Sequence, residues 1–227
     1  MVQFLLLDLD DTILDFHKAE DIALRKTLKE FGIEPTDQVC ARYSQINKEH
    51  WQRLERKELT RPQVLVGRFR MLMEELGISA DAQTCSVRYT ENLAIGHYFL
   101  PGAREALESL SKKYPLYIVS NGNLPVQRGR LASANISHLL SGIFISQELG
   151  ADKPDPAFFQ EVFRRIEGFD PSKAIIVGDS LTSDVLGGKN AGILTCWVNP
   201  GHKACGAIVP DYEIESISQL EALLETI

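Results

Sequence analysis

Little in this chain could build a disulfide framework or a zinc site. Its four cysteines, Cys40, Cys85, Cys196 and Cys205, show no Cys-x-x-Cys spacing, so they read as free thiols of a reducing cytoplasm. Positive charge is also short: 24 Lys and Arg stand against 31 Asp and Glu, a net charge of −7. A nucleic-acid polymer would require clustered basic residues, and none is expected as a partner. A small anionic ligand is not excluded, because a metal and one or two cations can reverse the field inside a cleft. No apolar run approaches the ~20 residues that span a bilayer. Leu5-Leu6-Leu7 is followed at once by Asp8, Asp10 and Asp11, which argues against a secretory leader. A cytoplasmic chain with no membrane partner, monomeric or homodimeric, is expected. The five histidines show no ligand spacing, and no repeat or low-complexity segment interrupts the sequence.

What is present suits a globular α/β protein of 227 residues, 44% hydrophobic and 24% charged. Residues 3–7 form an apolar run ending in acid, as a strand buried on both faces would read. From residue 16 to 96 helical periodicity takes over, with Ala23, Leu24, Thr27, Leu28 and Phe31 forming one apolar stripe that Gly32 ends, and further helices predicted over 36–57, 61–76 and 81–96; Thr60 and Asp81 are N-terminal signals. After Pro101-Gly102 helices and strands alternate. Helices are predicted at 103–113, 125–134, 156–166, 183–191 and 216–225, and strands at 116–120, 142–146, 174–178 and 194–198. The pattern predicts a Rossmann-like, mostly parallel sheet with helices on both faces. The expected organisation is a core of residues 1–15 and 97–227, with 16–96 as an inserted all-helical cap.

Four separated segments carry chemistry: Asp8-Leu-Asp10-Asp11-Thr12, Ser120-Asn121-Gly122, Lys153 in Ala-Asp-Lys-Pro, and Gly178-Asp179 with Asp184. Three of them follow predicted strands, and ligands of open α/β sheets bind at strand ends. Asp8 and Asp10 are two apart, on one side of an extended chain, so one carboxylate can attack phosphorus while the other moves a proton. The start of a calcium loop looks similar, but that loop needs Gly and Glu where Ile13 and Ala19 stand. Ser120 beside Gly122 makes an anion-binding corner or an ordinary strand-ending turn. Ile118 stands where a serine-hydrolase elbow needs glycine. Lys153 is either a solvated charge or a point charge for a phosphoryl group. Asp179 and Asp184 offer the one or two carboxylates that magnesium prefers, Asp184 serving equally as an N-cap. Gly187-Gly188-Lys189 lacks the spacing of a P-loop and reads as close helix–sheet packing.

These segments, in this order, resemble the haloacid dehalogenase-like hydrolase superfamily, whose signature begins Asp-x-Asp-x-Thr after a hydrophobic strand. The resemblance covers essentially the whole chain. It implies a magnesium-dependent phosphomonoester hydrolase working through an aspartyl phosphate. Asp8 would be the nucleophile. Asp10 would protonate the leaving alcohol and then activate water, its backbone carbonyl also touching the metal. Ser120 and the amide of Asn121 would hold phosphate oxygens, and Lys153 would sit on the transferring phosphoryl. Asp179 would bind magnesium together with Asp8. Asp184 would lie behind, holding a metal-bound water or Lys153. The helical insert would act as a lid supplying specificity, with His17, His50, Arg53 and Arg56 as its polar candidates. Trp51 and Trp197 read as packing residues.

Within the superfamily a dehalogenase would need the first aspartate but not Asp10, Asp179 or Asp184. A phosphomutase would use every residue named, and a noncatalytic phospho-ligand module none of them as chemistry. Ser120-Asn-Gly-Asn123, Ala151-Asp-Lys-Pro-Asp-Pro156, Gly187-Gly-Lys-Asn-Ala-Gly192 and Trp197-Val-Asn-Pro200 resemble the pyrimidine 5'-nucleotidase branch. The substrate this implies is a nucleoside monophosphate, a small phosphorylated metabolite. Phosphatases of sugar phosphates, phosphoglycolate and acylneuraminate phosphate share several of the segments.

Overall fold

The computed structural model describes residues 1–227. The chain divides into two compact units, Met1–Phe16 with His97–Ile227, and His17–Gly96. The first is an α/β unit on a six-stranded parallel sheet of order β3-β2-β1-β4-β5-β6. Its strands are β1 (Phe4–Leu7), β2 (Leu116–Ser120), β3 (Gly142–Ile145), β4 (Ala174–Gly178), β5 (Leu194–Val198) and β6 (Tyr212–Ile214). Both faces are covered, which explains why the strands read as unbroken apolar runs. Leu5, Leu7, Ile118, Ile175 and Val177 pack into one core and Leu6, Val119, Ala174 and Ile176 into the other. The chain leaves β1 towards β2 and leaves β4 towards β5, in opposite directions. Neighbouring β1 and β4 therefore form the switch point where such sheets bind ligands. Leu7 stands opposite Val177 there, and Asp8 N donates to the Val177 carbonyl at 2.9 Å.

The remaining elements are the helices α1 (Phe16–Glu30), α2 (Asp37–Glu55), α3 (Arg61–Leu76), α4 (Ala82–Ala94), α5 (Ala103–Leu110), α6 (Leu124–Ala134), α7 (Ser146–Leu149), α8 (Pro156–Arg165), α9 (Leu186–Ala191) and α10 (Leu220–Leu224). Asp81 caps α4 by accepting from Gln83 N and Thr84 N, as its residue type predicts. Gly187 and Gly188 are packing residues: a Cβ would lie 2.7 Å from the Phe159 ring at the first and 2.5 Å from Ile176 at the second.

The first helix starts at Phe16, where the helical periodicity begins in the sequence, and the Asp11 carboxylate accepts from Phe16 N at 2.9 Å and caps the chain there. Several other boundaries differ from expectation. Ser146 leaves the third strand and opens the short α7. The stretch 183–191 begins as a π-turn over Leu181–Val185, with Ser180 accepting from Ser183 N, before α9. The C-terminal stretch starts with a 3-10 turn at Ile217–Gln219. Strand β6 has no counterpart in the sequence pattern, being three residues at the sheet edge.

The unit His17–Gly96 is entirely helical and centres on a buried polar network. Glu20 accepts from Ser44 Oγ (2.5 Å) and Asn47 Nδ2 (2.7 Å), and Asn47 Oδ1 accepts from Arg68 Nη1 (2.7 Å). The Arg68 guanidinium lies over the rings of Tyr43, Phe69 and Tyr89, where a planar cation is well accommodated. Of the polar candidates in this unit, His50 is buried with Nδ1 against the Ile46 carbonyl. Arg53 and Arg56 pair with Glu58. His17 is exposed.

Candidate active site

Four loops at the C-terminal ends of β1, β2, β3 and β4 supply the candidate residues. Lys153, on the loop between α7 and α8, is the hub. Its ammonium donates to Asp8 Oδ1 (2.7 Å), Asp184 Oδ1 (2.6 Å) and the Val119 carbonyl (2.7 Å), and the residue is 1% exposed. The solvated-surface reading of Lys153 is therefore overturned. The backbone holds it in place: Asn121 Nδ2 donates to the Lys153 carbonyl (2.8 Å), and Lys153 N donates to Asn121 Oδ1 (2.7 Å). The Asn121 side chain thus clamps the lysine loop, a role its sequence position did not reveal.

Asp8, Asp179 and Asp184 each offer a carboxylate oxygen, and these atoms lie within 4.8 Å of one another. Burial pushes the Asp8 carboxyl up to about 7; Lys153 pulls it back, while the charges of Asp184 and Asp10 add to the rise. Asp179 is driven well above the usual carboxylate range by desolvation, then by repulsion from Asp8 and Asp184. For Lys153, burial pulls downwards, but the attraction of Asp184 and Asp8 outweighs it and holds the ammonium charged. Three carboxylates share one cation here, so the cluster lacks positive charge. An all-oxygen carboxylate set of this kind fits a hard divalent cation such as magnesium.

Asp184 is not an N-cap of α9. It holds Lys153 and accepts from Ser180 N (3.1 Å), while Ser180 caps the turn. Gly178 makes room for it, since a Cβ there would meet the Asp184 carboxylate at 2.2 Å. Trp197 is more than packing: its indole N–H donates to the Asp179 carbonyl at 2.8 Å and fixes the backbone of that residue.

The Asp10 carboxylate turns to α6. Gln127 Nε2 donates to its Oδ2 (2.6 Å), and Arg130 Nη1 forms a close ion pair with Oδ1. The same Gln127 amide donates to Ser120 Oγ at 2.9 Å, and that hydroxyl also accepts from Gly122 N (3.1 Å). Neither Gln127 nor Arg130 was singled out in the sequence. The available signal was their i,i+3 spacing on the helix that follows Ser120-Asn-Gly.

A carboxylate pair after the central strand, a buried lysine between two acids and an acidic cluster at the switch point define a hydrolase site on a Rossmann-like sheet. The chain belongs to the haloacid dehalogenase-like hydrolase family, whose model matches residues 2–192. Among its relatives is the HAD-hydrolase YfnB of Bacillus subtilis, 38% identical over 97% of this chain and 94% of that one. The crystal structure of YfnB bound to magnesium superposes with a TM-score of 0.93, covering 98% of both chains. The pyrimidine 5'-nucleotidase PynA of Streptococcus pneumoniae is 39% identical over 96% of this chain and 93% of its own. A 2-haloacid dehalogenase from Pseudomonas syringae pv. tomato is 28% identical, covers 100% of this chain and 99% of its own, and has a TM-score of 0.69. No helix is long and apolar enough to cross a membrane.

Proposed function

We propose that this protein is a magnesium-dependent phosphoric monoester hydrolase acting on nucleoside 5'-monophosphates through a phosphoryl-aspartate at Asp8. The observation that carries the reading is the Lys153 ammonium, buried within 2.7 Å of Asp8 and 2.6 Å of Asp184 beside the carboxylate of Asp179. A dehalogenase expels halide from carbon and needs no metal, whereas phosphoryl transfer gains from a metal that neutralises charge on the phosphoryl oxygens, which the Asp8 and Asp179 carboxylates would hold.

Asp8 attacks phosphorus, forming the Asp8–phosphorus bond as the bond to the leaving oxygen breaks. Asp10 gives that oxygen its proton, and in the second step takes a proton from the attacking water. Lys153 is aimed at the transferring phosphoryl, where a compact charge suits negative charge spread over several oxygens. Ser120 Oγ and the backbone N–H of Asn121 hold the non-reacting oxygens. Asp8, Asp179 and the Asp10 carbonyl would hold magnesium, which when bound neutralises charge on the phosphoryl oxygens. Asp184 keeps Lys153 in place. The residues assigned to phosphate chemistry all lie in the unit Met1–Phe16 with His97–Ile227. The nucleotide reading is supported by the identity with PynA, which extends over 96% of this chain and so includes the helical unit.

The test is phosphate release from UMP, dUMP, TMP, purine monophosphates, sugar phosphates and phosphoglycolate, with magnesium and after exhaustive chelation. Expected are magnesium-restored activity and a kcat/KM for the pyrimidine nucleotides at least tenfold above that for the sugar phosphates. The reverse ranking would replace the nucleotidase by a sugar phosphatase. Full activity in metal-free buffer would remove the metal from the reading.

A further inference from the structure

We propose that Gln127 and Arg130 are positioning residues that fix the Asp10 carboxylate for proton transfer, Gln127 also tying it to the hydroxyl of Ser120. The proposal rests on the assignment of Asp10 as the group that protonates the leaving oxygen. Residues three apart on a helix share a face, so α6 presents both side chains to the same carboxylate. Each oxygen has its own donor: Oδ1 takes the Arg130 guanidinium and Oδ2 takes the Gln127 amide at 2.6 Å. Two donors on two oxygens leave the carboxylate plane little freedom. The donors are held in turn. Gln127 Oε1 accepts from Arg130 Nη1 at 3.3 Å, and the guanidinium carbon lies 5.6 Å from the centre of the Phe16 ring. Arg130 is 0% and Gln127 1% exposed, whereas the Asp10 side chain keeps 29% of its surface open. The arrangement thus presents a partly open carboxylate on a buried, preassembled support, as proton transfer requires of its geometry.

A second observation links this support to the phosphate corner. A Cβ at Gly122 would lie 2.4 Å from Gln127 Nε2 and 2.5 Å from its Cγ. The glycine two residues after Ser120 therefore leaves the space that Gln127 occupies. From there the amide reaches Ser120 Oγ at 2.9 Å, so one side chain sets the distance between the group that donates the proton and the hydroxyl assigned to a phosphate oxygen.

Loosening Asp10 harms an ester whose leaving group departs as an alkoxide and needs a proton. It harms far less an aryl ester whose leaving group departs as a stable phenolate. The experiment compares kcat and KM for p-nitrophenyl phosphate and for UMP, or for whichever alkyl ester the substrate panel ranks first. The proteins are wild type, Gln127→Met, Arg130→Met and Arg130→Lys, all with magnesium. Removing a positioned proton donor altogether costs about 10²- to 10⁴-fold, so a loosened one is expected to cost roughly 30-fold in kcat on the alkyl ester, with KM within about threefold. The loss in kcat/KM, which reports transfer to Asp8 and not the later attack of water, should be greater on the alkyl ester than on the aryl ester by about tenfold or more, and Arg130→Lys should recover part of it. Equal losses in kcat/KM on both esters, or a change confined to KM, would show that the two residues only support the fold. Gln127→Met keeps length and burial and strands no charge, so it decides the matter even where Arg130→Met does not fold. Wild-type protein that releases phosphate from neither ester would overturn the hydrolase reading itself, a result distinct from equal losses in the variants.

Discussion

Replacing Asp8 by asparagine is expected to lower steady-state phosphate release by on the order of 10³-fold or more while leaving a folded protein, because a carboxamide of the same volume is no nucleophile. Lys153 keeps Asp184 and the Val119 carbonyl as partners in that variant, so the buried ammonium is not stranded. The substitution also removes one of three crowded carboxylates, which relieves the repulsion that raises Asp179. Thermal unfolding should therefore stay close to wild type. Turnover by Asp8→Asn within tenfold of wild type would remove Asp8 from the chemistry.

Replacing Lys153 by methionine should damage both stability and catalysis. The lysine is the cation shared by Asp8 and Asp184, both buried. Taking away one member of a buried ionic cluster strands the others, at a cost of about 3–5 kcal/mol. The loss in turnover should reach roughly 10³-fold, the order seen when a preorganised charge-stabilising group is removed from an active site. A compensating effect is expected from magnesium, which would bind Asp8 and Asp179 of the folded state and raise stability by mass action, so the unfolding comparison is made without metal. Denaturant unfolding and phosphate release on the same preparations check both parts. A stability change below about 1 kcal/mol, the size of an exposed ion pair, would mean that the lysine is not the buried hub described.

Much of this site was legible in the sequence because its parts sit at ends of strands buried on both faces. The continuous runs ending at Leu7, Ser120 and Gly178 marked those strands, and the acids and hydroxyl that follow were found from them. The parts that stayed hidden depend on tertiary contacts. A lysine before a proline carries no mark of burial; Asp8 and Asp184, from the segments that follow separate strands, make Lys153 a buried one. Asn121 reads as a backbone contributor to an anion corner until its side chain is seen holding both backbone groups of Lys153. Gln127 and Arg130 lie on a helix whose polar residues resemble a solvated face, and only the packing of α6 against the loop after β1 turns them inwards. Strand β6 escaped because Tyr212-Glu-Ile is too short for a period-2 pattern to be distinguished from a loop. In the helical unit the caps Thr60 and Asp81 were readable from residue type, whereas the Glu20–Asn47–Arg68 network joins three helices and no single stretch announces it.

The central claim is that phosphate passes through Asp8 and not directly to water. The stereochemical course at phosphorus tests it without requiring the intermediate to accumulate. With a phosphorothioate ester made chiral at phosphorus by one heavy oxygen isotope and hydrolysed in water carrying the third isotope, so that the released thiophosphate is itself chiral, two successive in-line displacements give net retention and a single attack by water gives inversion. Retention is the result predicted for the magnesium-loaded protein. Inversion would contradict the phosphoryl-aspartate and leave Asp8 as a metal ligand alone.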